Sequence, residues 1–182
     1  MTARAFTIAL IAAHILFVDF AVGQTTSRPI GVSESDLKAV FVIRLLDFVK
    51  RQDPPEHTKI CLLGRSDTAS AIKRLGATKD PDTFSVDELQ PSDLGNVCNL
   101  LFISGGVRGG VVTKNQYFGV LTVSDSEGFA AEGGMIQLLR KNNRIGLKIN
   151  AATVEAAGIQ LSSRLLGLAE VIRADEAVQN GY

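Results

Sequence analysis

Apolar residues recur at helical spacing in Leu37, Val40, Phe41, Leu45 and Phe48, which predicts a first helix over about residues 34–50. Ser33 with Asp36 resembles a capping box at its start, and Asp53-Pro54-Pro55 stops it. The pattern then changes. Lys59 to Leu63 is a short apolar run ending at Gly64, which reads as a buried strand feeding a turn. Ser66 or Asp67 caps a second helix through Ala71, Ile72 and Leu75, closed by Gly76. Strand, glycine turn and helix form half of a βαβ unit.

Further along, Phe84-Ser85-Val86 suggests a short strand, Cys98 to Ile103 a second buried strand, and Gly119 to Val123 a third. Residues 104–118 hold four glycines and no period. Met135 to Leu139 is an apolar strand, Asn142-Asn143 a turn pair, and Ile145, Leu147 and Ile149 alternate with Arg144, Gly146 and Lys148. Alternation beside an Asn-rich turn predicts an antiparallel hairpin with one wet face. A short helix from Ala151 to Ala157 ends at Gly158, and Ser162 or Ser163 caps a last helix with the stripe Leu165, Leu168, Ala169 and Ile172. Strands alternating with short helices predict one Rossmann-like α/β layered domain over residues 34–173. Its sheet is mixed because of the C-terminal hairpin.

The N-terminus carries a separate signal. Arg4 is the only charge before the apolar run Ala5 to Val18, and Ala21-Val22-Gly23 offers small residues at a cleavage position. This predicts a signal peptide over residues 1–23, removed after Gly23, then a flexible start over 24–33 and a polar tail over 174–182. The competing reading, an uncleaved anchor, is weakened by Asp19 within the run. The mature protein is then expected in an extracytoplasmic space. Formal net charge is zero and Trp is absent, which argues against a nucleic-acid surface, where a basic excess and stacking aromatics are the norm.

Export gives meaning to the two cysteines, Cys61 and Cys98: an even count in an oxidising compartment reads as one disulfide, favoured over buried thiols or a redox pair, since they do not form C-x-x-C. Catalysis has little support. His14 lies in the leader, His57 stands alone, zinc-ligand spacing is missing, and so is a G-x-S-x-G elbow. No cofactor is expected. Gly64-Arg65-Ser66-Asp67 is a strand-to-helix turn able to hold an anion, although an ordinary cap is the plainer reading. Ser124-Asp125 follows a strand at the edge where α/β sheets place ligands, and capping is again the plainer reading. The run Ser162 to Ala169 is more apolar than one buried stripe requires, so its leucines either pack at the core edge or form a strip that docks a partner.

Several runs resemble the YfiR family of periplasmic signalling proteins: Gly119 to Asp125 with Gly128-Phe129-Ala130, then Gly133-Gly134-Met135-Ile136, Ile149-Asn150-Ala151-Ala152, and Ala157 to Leu166. Lys38-Ala39-Val40-Phe41 fits the family's opening helix. Members often end that helix with Trp-Pro; here Asp53-Pro54 stands nearby without the Trp. The resemblance, over about residues 34–173, implies an α/β sandwich with Cys61 and Cys98 at the positions of a family bridge. A second Cys pair of better-studied members is missing here, so redox control through it does not carry over. The resemblance also implies a non-enzymatic regulator. It would bind the periplasmic sensor domain of an inner-membrane diguanylate cyclase and hold it inactive, lowering cyclic di-GMP and biofilm formation. Leu165, Leu166 and Leu168 would contribute to the contact, with homodimerisation left open. The alternatives are a small-molecule sensor using the turn at Gly64 to Asp67 or at Ser124, and, more weakly, an envelope hydrolase.

Overall fold

The computed structural model describes residues 32–50, 55–90, 98–105, 118–142 and 144–173. The leader, the Asp53-Pro54 stop, the glycine-rich run from Gly106 and the tail after Arg173 lie outside them. Helix α1 (Glu34–Leu45) starts at Ser33, whose hydroxyl accepts the Asp36 N–H at 3.0 Å. A 3₁₀ turn follows at Leu46–Phe48, so the helix stops well short of the proline pair. Its buried face is Ala39, Val42 and Leu45, while Leu37 and Val40 are exposed. The expected stripe is therefore shifted around the helix. Ala39 and Val42 are small enough to let α1 approach its neighbours closely.

Strand β1 (Val49–Lys50) pairs antiparallel with β8 (Gln160–Leu161) as a two-stranded sheet that the hydrophobic pattern did not predict. The main sheet begins with β2 (Thr58–Leu63), followed by α2 (Asp67–Gly76) and β3 (Phe84–Leu89). Then come β4 (Leu100–Ile103), β5 (Leu121–Ser124), and the hairpin β6 (Ile136–Lys141) and β7 (Arg144–Asn150). Helices α3 (Ala151–Ala156) and α4 (Ser163–Leu166) follow, and β9 (Glu170–Ile172) ends the described chain. The seven strands run β3-β2-β4-β5-β6-β7-β9. All neighbours are parallel except β6 and β7. The mixed α/β layered fold and its hairpin are thus as expected.

Strands β2 and β4 sit inside the sheet and are buried on both sides, which explains their continuous apolar runs. Ile60, Leu62, Leu100 and Phe102 face the larger core with Ala39, Val42, Ile72 and Ile136. Cys61, Leu63, Leu101 and Ile103 face a smaller cluster with Val120 and Phe129. The hairpin register closes at Lys141↔Arg144, and Asn142 turns the chain at a φ of 50°, a conformation asparagine tolerates; Asn143 lies outside the described residues.

The C-terminal segment corrects the expectation most. Helix α4 is a single turn capped by Ser162, whose hydroxyl accepts the Leu165 N–H at 3.3 Å. Glu170, Val171 and Ile172 then join the sheet opposite Lys148, Ile149 and Asn150. A short helix is costly to nucleate, whereas the outer edge of β7 offers a ready ladder. The pair Lys148–Glu170 closes across this register at 2.9 Å, and Lys148, by hydrogen bond and then by attraction, holds the Glu170 carboxyl below its ordinary range.

Gly76 ends α2 against β3: a Cβ there would collide with Val86 Cγ2. Alanine would gain up to about 1 kcal/mol of helix propensity, but overpacking costs about 1–3 kcal/mol. Gly76→Ala should therefore lower the urea midpoint, and Val86→Ala on the same background should recover part of it. Because the folded Glu170 pKa is depressed, its pair stabilises above the unfolded carboxylate pKa, and the effect fades as pH falls through the folded value. The pair is largely exposed, so Glu170→Gln should cost no more than about 0.5 kcal/mol at pH 7. That difference should vanish in urea titrations run below the folded pKa.

Candidate functional site

Three features bear on function: the cystine, the groove beside α3 and α4, and the turn at the carboxyl end of β2. Cys61 lies in β2 and is fully buried; Cys98 lies just before the neighbouring β4. Their Cα atoms are 5.9 Å apart and they form a disulfide, well within bridging geometry. Beside it, the Lys59 N–H donates to Asn99 Oδ1 at 2.6 Å and the Asn99 N–H to the Lys59 carbonyl at 2.8 Å. The bridge thus ties β2 to the segment leading into β4 on the smaller-core face.

The groove has a volume of about 360 Å³, and its lining includes Lys50, Val154, Gly158, Ile159, Leu161 and Leu166. It forms because α3 is capped at Asn150, whose Oδ1 accepts the Thr153 N–H at 3.1 Å. Gly158 then turns the chain at a φ of 71° toward β8. The Phe118 ring stands close over Gly158, so that a Cβ there would lie 2.6 Å from Phe118 Cζ. Phe118 is 73% exposed, as is Leu168 at 72%, in the turn after α4. The three leucines expected at a partner surface are therefore separated. Leu165 is 2% exposed and belongs to the core, Leu166 is half-buried along the groove, and Leu168 alone projects. Sequence reasoning missed Phe118, which borders the glycine-rich run where no period could be read.

At the carboxyl ends of β2, β4 and β5 the turns that seemed independent meet. Gly64 adopts a φ of 80°, and Ser66 caps α2 by accepting the Ala69 N–H at 3.0 Å. Ser104 donates to Ser66 at 3.2 Å, and Ser124 donates to the Ile103 carbonyl at 2.6 Å. Asp125 accepts the Thr68 hydroxyl at 2.7 Å and the Lys38 ammonium at 3.4 Å. Asp125 thus clamps α1 and α2 to the sheet edge. The strand order puts β3 on one side of β2 and β4 on the other, which is the switch point where doubly wound sheets bind ligands. Here the hydroxyls and Asp125 are engaged by the protein itself, which favours the capping reading of both turns. Arg65 takes no part in this network.

His57 bonds the Asp82 carbonyl through Nδ1 at 3.0 Å and Ser85 Oγ through Nε2 at 2.8 Å. A carbonyl can only accept, so Nδ1 carries a proton, and the ring staples the turn before β3. Among the described residues no group of three or more His, Cys, Asp or Glu side chains is arranged to hold a metal ion. None of their helices is long and apolar enough to cross a membrane.

Three comparisons place the chain among known proteins. The family described as YfiR/HmsC-like matches residues 35–170. A crystal structure of a conserved domain protein from Vibrio cholerae O1 biovar El Tor aligns with a TM-score of 0.52 at 12% identity. The alignment covers 76% of this chain but only 60% of that one, and at this identity the likeness concerns the fold. No curated protein matches the chain.

The bridge closes a loop across a sequence separation of 37 residues, worth roughly 4 kcal/mol in the chain-entropy view. Replacing both cysteines by alanine should lower unfolding free energy by about 2–4 kcal/mol, read from urea denaturation, while far-UV circular dichroism keeps its α/β signature.

Proposed function

The chain belongs to the YfiR/HmsC-like family, and from that premise we propose that it binds the periplasmic sensor domain of a membrane-bound diguanylate cyclase and holds it inactive. Family membership implies periplasmic regulation of a diguanylate cyclase. Binding and repression by this chain, and export by removal of residues 1–23, are the finer steps of the proposal. The match across residues 35–170 carries the reading.

The exposed apolar side chains that support it are Phe118, whose ring lies over the groove-lining Gly158, and Leu168, two residues beyond the groove-lining Leu166. A projecting leucine in water gains nothing until a partner covers it, and covering it fully contributes about 1.5–3 kcal/mol. Repression then works by population shift. A regulator that prefers the inactive cyclase conformation lowers the active fraction only by as much as its affinities for the two states differ. A tenfold preference corresponds to about 1.4 kcal/mol, within reach of one or two such side chains. Leu165 supports this surface from beneath.

The test is cyclase activity in membranes with and without the purified protein, together with capture of the cyclase sensor domain. Leu168→Glu should weaken binding by about ten- to a hundredfold and relieve repression, with no change in melting temperature. Leu165→Ala should instead cost about 2–5 kcal/mol of stability. Undiminished repression by the folded Leu168→Glu protein would remove this surface from the proposal. Failure of the parent protein to bind any cyclase sensor domain would remove the proposal itself.

A further inference from the structure

Between α2 and β3, away from the apolar groove, lies a second cavity of about 330 Å³. Its floor is apolar: Leu62 and Ala69 are both buried. Its walls carry Arg65, Lys73 and Arg74 against a single carboxylate, Glu88. Each charge has a traceable commitment. Lys73 bonds Glu88 at 2.6 Å. Arg74 pairs with Asp36 of α1. Arg65 has no hydrogen bond or ion pair among the described residues, yet its charge is felt across the cavity. The Glu88 carboxyl is held below its ordinary range by the Lys73 hydrogen bond, by Lys73 attraction and, further off, by Arg65.

With Lys73 set against Glu88 and Arg74 against Asp36, the guanidinium of Arg65 leaves the cavity one positive charge in excess. The planar fork of arginine matches a carboxylate or phosphate two oxygens at a time. The left-handed turn at Gly64 sets Arg65 at the rim between β2 and α2. The volume is at the small end of ligand cavities, and the apolar floor suits a compact hydrocarbon or ring body. We infer that this cavity binds a small organic oxyanion, a carboxylate or phosphate carried on a short apolar frame, with Arg65 as its principal anchor and Lys73 as the second. Glu88 is then a built-in competitor that holds Lys73 until the anion arrives. This goes beyond the cyclase reading and does not depend on it.

The experiment is amide chemical-shift titration of the exported domain with inorganic phosphate, succinate and phenyl phosphate, each at matched ionic strength. Saturable shifts should centre on Arg65, Ser70 and Lys73, and phenyl phosphate should bind more tightly than inorganic phosphate. A response to succinate alone or to phosphates alone identifies the acid class. Arg65→Ala should weaken binding by about tenfold or more. Glu88→Gln should tighten it by roughly two- to threefold by freeing Lys73. Lys141→Ala, on the β6–β7 hairpin, should leave it unchanged. Arg65 is exposed, so its truncation should leave the fold intact, as unchanged shifts elsewhere would verify. The inference is overturned if none of the probes gives a saturable shift. It is equally overturned if Arg65→Ala and Lys141→Ala weaken binding alike, or if Glu88→Gln weakens it.

Discussion

Burial of β2 and β4 on both faces is the constraint from which the rest of the molecule follows. A strand buried on both sides cannot leave a polar face anywhere, and every backbone group must be paired within the sheet. Ile60 and Leu62 serve one core while Cys61 and Leu63 serve the other. The two strands therefore commit helices α1 and α2 to one side and the Val120–Phe129 cluster to the other. The cystine ties β2 to the start of β4, so the covalent constraint falls on these same central strands. It limits the unfolded chain more than it shapes the folded one.

With the centre fixed, the edges carry what varies. At the carboxyl edge, Ser66, Thr68, Ser104, Ser124 and Asp125 spend their hydrogen-bonding capacity on holding helices to strands. Among the described residues no buried side-chain nitrogen or oxygen is left unpaired. That part of the switch point is a clamp. Arg65 leaves this network beside it, and elsewhere on the surface Phe118 and Leu168 project. These surfaces differ in kind. One is cationic over an apolar floor; the other is apolar beside a groove. On the two proposals made above, a small anion and a protein partner would not compete for the same residues.

The family match and the described structure divide the explanation between them. The match over residues 35–170 bears on what class of protein this is. The likeness to the Vibrio cholerae structure, at 12% identity, bears only on the arrangement of strands and helices. Which side chains face outward is read from this chain alone.

Much of the fold was legible in the residues because local signals there agree with the tertiary outcome. The runs at β2 and β4, the alternation and Asn pair of the β6–β7 hairpin, and the Ser33, Ser66 and Ser162 caps all report backbone requirements met within a few residues. The even cysteine count belongs with them, since two thiols have one way to pair. What only the tertiary structure decided are questions of neighbours. The stripe on α1 moved from Leu37 and Val40 to Ala39 and Val42 because burial depends on which face another element approaches. Residues 168–172 abandoned helical spacing because the free edge of β7, some twenty positions earlier, offered hydrogen bonds that a one-turn helix does not. Leu165 and Leu168, alike in sequence, were parted into core and surface by that same change. The meeting of Asp125 with Lys38 and Thr68, and the solitude of Arg65, rest on contacts between distant segments, and periodicity carries no record of distance across the fold.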